Sequence, residues 1–379
     1  MTSLLSTGAL LPAYARHDVT FVSGDGVWLT DNEGKRYLDL LAGIAVVSLG
    51  HCHPAPAGAA RRQLDALWHT SNLYSTEPML RLAELLSGRF GSARSFFCNS
   101  GAEAVEAALK WARKATEKPV VVALEGSFHG RTHGALAATG QPGKRAAFEP
   151  LAPAVRFAPL NDAQALAATV GRDTGAILIE PVQGEGGIHP ASAEFLAAAR
   201  ALADEHGALL VFDEIQCGVG RTGSFFAWEQ LGVRPDAVTL AKGLAGGLPI
   251  GALLVSDGAP AGFEPGDHGS TFGGNAVVCA AAAAVVETLN ESLLVSVRAR
   301  GEQLAAGLAT LPGVVEVRGR GLMLGAELDR SAGPVVAAAL AAGLLVGSAG
   351  ETVLRLTPPL TITGDEVALG LALLEEVLR

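Results

Sequence analysis

The chain contains few lysines, and one of them stands where a lysine could act as a nucleophile. Lys242 is the sole lysine after residue 144, between the apolar run AVTLA (237–241) and the glycine-rich run GLAGGLPIG. We expect it at the end of a strand, beside a loop. A lysine desolvated there loses affinity for its proton, and its neutral amine could form a Schiff base. A lysine whose stem crosses the strand end so that the ammonium reaches solvent fits the same context.

Another apolar run, ALLVFD (208–213), ends with the carboxylate of Asp213. An unpaired buried charge is costly, so this carboxylate needs a metal, an arginine or a protonated ring nitrogen as its partner. An aspartate that caps a loop is the competing interpretation. Taken together, Asp213 and Lys242, at strand ends one crossover apart, suggest pyridoxal phosphate, whose ring nitrogen needs an acid and whose aldehyde needs an amine.

A phosphate could bind where the strand SFFC (95–98) meets the next helix. Ser100, Gly101 and Ala102 in NSGAE place backbone N–H groups and a hydroxyl at a helix N-terminus, which attracts anions. An ordinary helix N-cap explains the same residues. The loop HGSTFGG (268–274), with Ser270 and Thr271, is a second stretch rich in hydroxyls and glycine that could meet a phosphate.

Two other motifs carry less weight. GVGRTG (218–223) matches GxGxxG, but it lacks the directly preceding strand and the later acidic residue of a dinucleotide site, so we interpret it as a loop. His51 and His53 could bind a metal, but no further His/Cys cluster completes a site, and we predict none. The chain has neither GxSxG nor GxxxxGK[ST], so nothing indicates a hydrolase elbow or a P-loop.

Composition narrows the class of protein. Hydrophobic residues make up 49% of the 379 positions and charged residues 17%, which excludes intrinsic disorder. The net charge of −10 argues against nucleic-acid or anionic-membrane partners, and no uncharged apolar stretch fits a spanning helix. The N-terminus has no basic region before its apolar stretch, and the four cysteines form no CxxC pair. We therefore predict a cytoplasmic enzyme.

The elements that must position these residues alternate between strands and helices. From residue 94 onward, continuous apolar runs such as VVVAL (120–124) are typical of strands covered on both faces. The pattern predicts an α/β protein with a large, doubly wound, mostly parallel sheet over residues 46–274. Residues 275–379 predict a smaller α+β domain. We expect the segment 1–45, with a hairpin turn at 31–34, to join it, so that both termini build the small domain.

The sequence resembles the class III, ornithine-type pyridoxal-phosphate-dependent aminotransferases of fold type I, and the resemblance covers nearly the whole chain. HTSNLYSTEP (69–78) and HGRT are most similar to the members that act on N2-acetylornithine. Separated motifs in a consistent order are far more specific than any one of them. The motifs, in order, are GVWLTDNEGKRYLDLLAGIAV, LGHCHP, NSGAEAVEAALKWAR, SFHGRT, EPVQGEGG, VFDEIQCGVGRTG, LAKGLAGGLPIGA and GSTFGGN.

The resemblance implies roles toward the cofactor, pyridoxal 5′-phosphate. Lys242 would bind it covalently and later move the substrate proton, and Asp213 would keep the pyridine nitrogen protonated. Gln216 would hydrogen-bond the phenolic oxygen, while Phe128 would stack on the ring. Gly101 and Ala102, next to the Ser100 hydroxyl, would contact the phosphate.

The resemblance also implies how substrates bind. Arg131 would pair with the α-carboxylate of acetylornithine, and Arg355 with a carboxylate of 2-oxoglutarate or glutamate. Glu185 would cover Arg355 when no diacid is present, because one pocket must admit a cationic side amine and then a dicarboxylate. Thr271 and Ser270 would reach the site of a partner subunit, which implies a homodimer with an active site shared across the interface.

The implied activity moves the δ-amino group of N2-acetylornithine to 2-oxoglutarate, a step of arginine biosynthesis. The same chemistry on ornithine, succinylornithine or a carrier-bound lysine is a close alternative. A pyridoxal-phosphate aminomutase acting on glutamate semialdehyde is an alternative of another class, and a regulatory binding protein is a third. Val47 and Val105 depart from the asparagines common in this family, from which we expect a packing change without loss of the cofactor.

Overall fold

The computed structural model describes residues 7–379. The first six residues, with which the expected N-terminal segment 1–45 begins, lie outside the described part.

Strands are distributed along the whole described chain. They are β1 (Phe21–Asp25), β2 (Trp28–Asp31), β3 (Arg36–Asp39), β4 (Ala93–Cys98), β5 (Val120–Leu124), β6 (Ala154–Ala158), β7 (Thr174–Ile179), β8 (Val182–Gln183), β9 (His189–Pro190), β10 (Leu209–Asp213), β11 (Ala237–Leu240), β12 (Gly251–Ser256), β13 (Val314–Arg320), β14 (Met323–Leu328), β15 (Leu344–Leu345), β16 (Gly347–Ala349) and β17 (Val353–Leu356).

Helices alternate with these strands. They are α1 (Ala42–Ala45), α2 (Pro54–Leu64), α3 (Glu77–Phe90), α4 (Gly101–Thr116), α5 (His133–Ala138), α6 (Pro142–Arg145), α7 (Ala163–Thr169), α8 (Ala193–His206), α9 (Ala276–Thr288), α10 (Glu291–Leu308), α11 (Ala332–Ala341) and α12 (Gly364–Leu378). Short 3₁₀ turns cover Thr7–Ala9, Ala146–Phe148, Ala227–Gln230 and Lys242–Ala245.

A seven-stranded sheet in the order β4-β12-β11-β10-β7-β5-β6 forms the centre of the large domain. Strands β11, β10, β7, β5 and β6 pair in parallel, and β12 runs antiparallel to both of its neighbours. Every residue of β5, β7, β10 and β11 is buried, as the continuous apolar runs predict for strands covered on both faces. The predicted α/β class with a mostly parallel sheet is confirmed.

The carboxyl ends of the parallel strands meet at one edge of this sheet. Asp213 is the last residue of β10 and pairs in register with Thr239 of β11, two residues before Ala241 and three before Lys242. Strand β4 points the same way, and α4 begins just beyond it at Gly101. Since parallel strands end side by side, residues far apart in sequence converge here, where α/β proteins bind ligands.

Both ends of the chain build the smaller domain, as predicted. One sheet has the order β1-β2-β3-β15, in which β3 pairs in parallel with β15 through Leu38 and Leu344. The other has the order β13-β14-β17-β16. The single predicted hairpin is instead a three-stranded meander, because the backbone also turns at Gly26, whose φ of 55° suits glycine. At the predicted turn, Asp31 accepts the Lys35 backbone N–H at 2.9 Å.

Helix α9 connects the large domain to the C-terminal part and packs against α2 and α3. Its apolar face buries Cys279, Val285 and Val286. In residues 7–379 no single helix is both long and apolar enough to cross a membrane, and only α9 and α10 taken together, across a bend of 75°, reach that length and composition.

Candidate active site

A cavity of about 510 Å³ opens at the carboxyl edge of the large sheet. This volume lies within the range of about 300–1,000 Å³ that small-molecule sites occupy. The cavity gathers eight residues that the sequence predicted for the site, from four separate segments. They are Ser100, Gly101, Ala102, Phe128, Arg131, Asp213, Gln216 and Lys242.

Asp213 is held by three hydrogen bonds. Its Oδ1 accepts the Ile215 backbone N–H at 3.0 Å and the Thr239 hydroxyl at 3.2 Å, while its Oδ2 lies 2.7 Å from His129 Nδ1. His129 is almost fully buried. Burial alone would lower the pKa of His129, but the hydrogen bond and the charge of Asp213 outweigh it, so the pKa is raised. The imidazole therefore keeps a proton directed at the carboxylate, which fixes the orientation of Asp213.

Glu180 is a second buried carboxylate in the cavity wall. It accepts the backbone N–H groups of Phe128 at 2.9 Å and Gly184 at 3.2 Å. Burial raises its pKa to about 7, and the nearby charge of His129 opposes that rise. Glu180 therefore holds the loop that carries Phe128 and can lose or keep its proton near neutral pH.

The sequence reasoning missed His129 and Glu180. The signals were available, because His129 lies between the predicted Phe128 and a glycine, and Glu180 ends the apolar run AILIE (176–180). Their partners, however, are distant in sequence. His129 and Asp213 are 84 positions apart, and Glu180 and Phe128 are 52 apart, so only the fold brings them into contact.

Lys242 begins a 3₁₀ turn directly after β11. Its φ of 38° lies in the left-handed region that lysine rarely adopts, and strained backbone of this kind clusters at functional sites. Burial lowers its pKa to about 8, with a smaller raising effect from the charge of Glu185 and a further lowering by Arg355. With that pKa, about a tenth of the amine is neutral at pH 7, far more than for an ordinary lysine.

The start of α4 forms an anion-binding corner of the cavity. Ser100 caps the helix by accepting the Glu103 N–H at 3.2 Å, and the first amides of a helix have no acceptor within it. A Cβ on Gly101 would come within 2.9 Å of the Ile215 side chain, so only glycine fits at this point. Gln216 adds a polar group nearby, since its Oε1 is buried without a hydrogen-bond partner.

Charged side chains mark the other end of the site. Arg355 lies on β17, almost fully buried, and its Nη1 donates to Glu185 Oε1 in a salt bridge. Burial alone would raise the pKa of Glu185, but the charge and hydrogen bond of Arg355 lower it. Neither residue lines the cavity wall itself, yet both act on the pKa of Lys242. Arg131 does line the cavity, with its guanidinium carbon 5.7 Å from the centroid of the Phe128 ring.

Ser270 and Thr271 do not line the cavity of their own chain. Ser270 accepts a hydrogen bond from Asn99 Nδ2 at 3.0 Å, and Thr271 is exposed. Their expected contribution to the site of a partner subunit stays a prediction.

The remaining motifs have structural partners. His51 Nε2 lies 2.8 Å from Asp39 Oδ2, and the described residues contain no cluster of three His, Cys, Asp or Glu side chains able to hold a metal. Arg221 of the GVGRTG loop is buried and donates to the carbonyls of Leu322 and Pro358, which ties this loop to the C-terminal domain.

The two departures from the family pattern lie in different surroundings. Val105 is fully buried in the core beneath α4, so it fills space away from the cavity. Val47 is half-buried, and its side chain would contact a Cβ built on Gly247 of the cavity wall at 3.3 Å. A change in packing at the site is therefore expected from Val47 alone.

Comparisons with known proteins agree with this geometry. The sequence matches the aminotransferase class-III family over residues 12–378. It is 51% identical to the acetylornithine aminotransferase of Mycolicibacterium smegmatis, over 96% of this chain and 95% of that protein. Two crystal structures share the fold. The N-acetylornithine aminotransferase of Stenotrophomonas maltophilia has a TM-score of 0.84 at 39% identity, covering 96% of each chain. The ornithine aminotransferase of Toxoplasma gondii has a TM-score of 0.93 at 31% identity, covering 98% of this chain and 92% of that one.

Proposed function

We propose that this chain, which belongs to the class-III aminotransferase family, transfers the δ-amino group of N2-acetyl-L-ornithine to 2-oxoglutarate. The products are N-acetylglutamate 5-semialdehyde and L-glutamate. The observation that carries the proposal is the salt bridge between Glu185 and Arg355 beside Lys242, because it suits a site that admits a cationic amine and then a dicarboxylate. The 51% identity to an acetylornithine aminotransferase supports the same donor.

The cofactor of this family is pyridoxal phosphate, and the residues present fit it. Gln216 Oε1 is a buried polar atom without a partner, and Gly101 leaves room that a side chain would fill. The pair of Asp213 and His129 presents a carboxylate suited to a protonated ring nitrogen. When bound, the cofactor supplies an electron sink that makes the proton on the amine-bearing carbon of the substrate acidic.

Around that group, each side chain has one task. Asp213, oriented by His129, would hold a proton at the ring nitrogen, and the amide of Gln216 would donate to the phenolic oxygen. The helix start at Ser100–Ala102 would bind the phosphate with its amides and hydroxyl. Phe128 would cover one face of the ring and exclude water from it.

Lys242 would act as both attachment point and base. Its lowered pKa makes the neutral amine available near pH 8, and the residue lines the cavity that would hold the substrate. When it is not bound to the cofactor, Lys242 Nζ would take the proton from the δ-carbon of acetylornithine. Asp213 and Arg131 would not take this proton themselves: Asp213 would keep the ring nitrogen protonated, and Arg131 would orient the substrate.

Glu185 would decide which substrate the site accepts. While it covers Arg355, the site presents no free cation there, and the cationic side amine of acetylornithine can approach. A dicarboxylate competes for Arg355 and displaces Glu185, since a bidentate carboxylate pair is among the stronger charge-assisted contacts. Arg131, without a carboxylate partner among the described residues, would bind the α-carboxylate of acetylornithine, at the end of the donor remote from its reacting δ-carbon.

We also propose that the chain forms a homodimer whose subunits share each active site. Large apolar side chains are exposed near the loop of Ser270 and Thr271, and exposed patches of this kind are typical of protein interfaces. They include Trp68, Leu73, Tyr74 and Phe272, which are between 61% and 86% exposed. The four free cysteines support the prediction of a cytoplasmic location.

The absorbance spectrum of the cofactor-loaded protein tests the function. Adding N2-acetylornithine without a keto acid should convert the cofactor to its amine form, and adding 2-oxoglutarate should restore the original band. Conversion by free ornithine alone would support an ornithine aminotransferase. Conversion of glutamate semialdehyde without any keto acid would support the aminomutase alternative. A protein that binds the cofactor and converts none of these donors would be a binding protein, and the proposal would be wrong.

A further inference from the structure

Lys144 lies on the short helix α6 at the substrate end of the site and has no role in the function proposed above. Its Nζ is 4.9 Å from the centroid of the Phe128 ring, the same ring that Arg131 approaches. Gln141, three residues earlier, donates from Nε2 to the carbonyls of Gly126 at 3.0 Å and Ser127 at 3.3 Å. These bonds tie α6 to the loop that carries Phe128, and Lys144 is half-buried there.

The two cations at this ring differ from the cation across the site. Arg355 is paired with Glu185, whereas Arg131 and Lys144 form no salt bridge among the described residues. Burial lowers the pKa of Lys144; the charge of Glu185 opposes this, and Arg131 lowers the pKa further. Lys144 and Arg131 therefore lie close enough to repel each other, at a place where partial burial limits screening by solvent.

The carboxylates of the site are already engaged. Of those that line the cavity, Asp213 bonds His129, and Glu180 accepts two backbone N–H groups. Glu185 bonds Arg355. Within the described part of the chain, two unpaired cations thus lie beside Phe128: Arg131, which lines the cavity, and Lys144, which contacts the same ring without lining the cavity wall. No carboxylate of the cavity wall is left unpaired to match them.

These unpaired cations affect how the site receives the α-nitrogen of a donor whose α-carboxylate is bound to Arg131. A free α-amino acid that places its carboxylate on Arg131 brings an α-ammonium to the same place, where it meets a second cation and no acid. An N-acylated amino acid brings a neutral amide there, whose carbonyl oxygen is an acceptor for an ammonium. The site therefore favours a donor whose α-nitrogen is acylated.

We propose that Lys144 is the residue that distinguishes an N-acylated donor from a free one: it repels a free α-ammonium and donates a hydrogen bond to the acyl carbonyl oxygen. The proposal rests on the proposed function, since it concerns the donor of that reaction. It adds a specificity-determining contact on α6 to the carboxylate contact of Arg131.

Two substitutions and a matched control test it in the cofactor-loaded enzyme. Lys144→Met removes the charge, and Lys144→Glu reverses it. Arg145→Met is the control, because Arg145 is on the same helix but its guanidinium carbon lies 4.4 Å from the centroid of a different ring, that of Phe157. The measurement is kcat/KM for N2-acetylornithine and for ornithine at saturating 2-oxoglutarate, with the cofactor spectrum checked in each variant.

Lys144→Met should lower the preference for acetylornithine over ornithine about tenfold, as the loss of one charge-assisted contact would. Lys144→Glu should lower it further and raise kcat/KM for ornithine above the wild-type value. Arg145→Met should leave the preference unchanged. If Lys144 had only a structural role, its substitution would lower kcat/KM for both donors by the same factor. That outcome, or an unchanged preference in both Lys144 variants, would overturn the proposal.

Binding of N2-acetylnorvaline and norvaline, measured by calorimetry, separates this proposal from the proposed function. Neither compound carries the δ-amine that reacts in the donor, so their difference in binding reports on the α-nitrogen. An unchanged cofactor spectrum shows that the α-amine of norvaline does not react. If the wild type does not convert acetylornithine, the proposed function fails, and the norvaline pair alone decides on Lys144. A preference for the acetyl compound that is lost in Lys144→Met supports the role of Lys144, and equal binding by the wild type refutes it.

Discussion

The two ends of the site are built in opposite ways. At the cofactor end, Asp213 receives three hydrogen bonds and His129 is almost fully buried, so each group has a fixed partner. At the substrate end, Arg131 and Lys144 have no carboxylate partner among the described residues, and Arg355 has a single one, Glu185. Groups that would hold the cofactor are enclosed by fixed partners, whereas groups that must exchange partners are left free or singly paired.

The two ends also differ in how burial affects the pKa values of their titratable groups. At the cofactor end burial shifts protonation, since it lowers the pKa of Lys242 to about 8 and raises that of Glu180 to about 7. At the substrate end burial also lowers the pKa of Lys144, but the charge and hydrogen bond of Arg355 outweigh burial at Glu185 and lower its pKa. Substitutions at the enclosed end should therefore reduce the rate with every substrate, whereas those at the open end should change which substrate is preferred.

The largest effect is expected from Lys242→Ala, which removes the amine on which both half-reactions depend. Turnover should fall by on the order of 10⁴-fold or more, as for loss of a catalytic nucleophile. The cofactor should remain bound through Asp213 and the start of α4. Glutamate formation and the cofactor content after desalting measure the two properties. Lys118→Ala is the control, because Lys118 contacts the carbonyls of His206 and Gly207; turnover near the wild-type rate in Lys242→Ala would contradict the assignment.

His129→Leu should lower kcat about 10- to 100-fold with all donors, since a hydrogen bond to a charged group contributes about 1.5–3 kcal/mol. The physical reason is that Asp213 loses the bond at 2.7 Å that orients it. His129→Gln, which keeps a donor, should recover part of the rate. Steady-state kinetics with acetylornithine and with ornithine make the comparison. A fall in kcat with only one donor would contradict the distinction between the two ends of the site. His133→Leu is the control, because His133 is exposed.

Attachment of the cofactor should follow the pKa of Lys242. The neutral amine reacts, and because burial lowers its pKa to about 8, the neutral fraction rises until the pH exceeds that value. The rate of pyridoxal-phosphate capture by the cofactor-free protein should therefore increase about tenfold from pH 7 to pH 9 and then level off. Stopped-flow absorbance measures it. A rate that continues to rise toward pH 10.5 would show an amine that is exposed to solvent, and the cofactor end would then be less enclosed than described.

The smallest effect is expected from Glu185→Gln at the open end. Without the carboxylate, Arg355 is no longer covered, and KM for 2-oxoglutarate should fall about fivefold, the value of an ion pair worth about 1 kcal/mol. Glutamate should become a stronger competitor of acetylornithine. Initial-rate kinetics with each substrate varied test this, with the exposed Glu194→Gln as control. A rise in KM for 2-oxoglutarate would mean that Glu185 binds the diacid and does not cover Arg355.

Local sequence was sufficient where one element depends mainly on its own residues. The run VVVAL predicted β5 at its observed bounds, and Asp213 and Lys242 stand at strand ends as expected. Local sequence was insufficient for β6 (Ala154–Ala158), which was not predicted. Arg156 interrupts the apolar residues of this strand and pairs with Asp173 at the surface. An edge strand carries a weaker pattern because one side of it faces no neighbour.

Apolar periodicity and the residue types at strand ends are local properties, so they specify which chemical groups are present and which short elements carry them. How those groups pair depends on the packing of distant segments. This packing placed His129 against Asp213, closed Glu185 on Arg355, and left Lys144 beside Arg131 without an acid. Hydrogen bonds and charge interactions depend on distances between atoms, and packing sets those distances between segments that lie far apart along the chain.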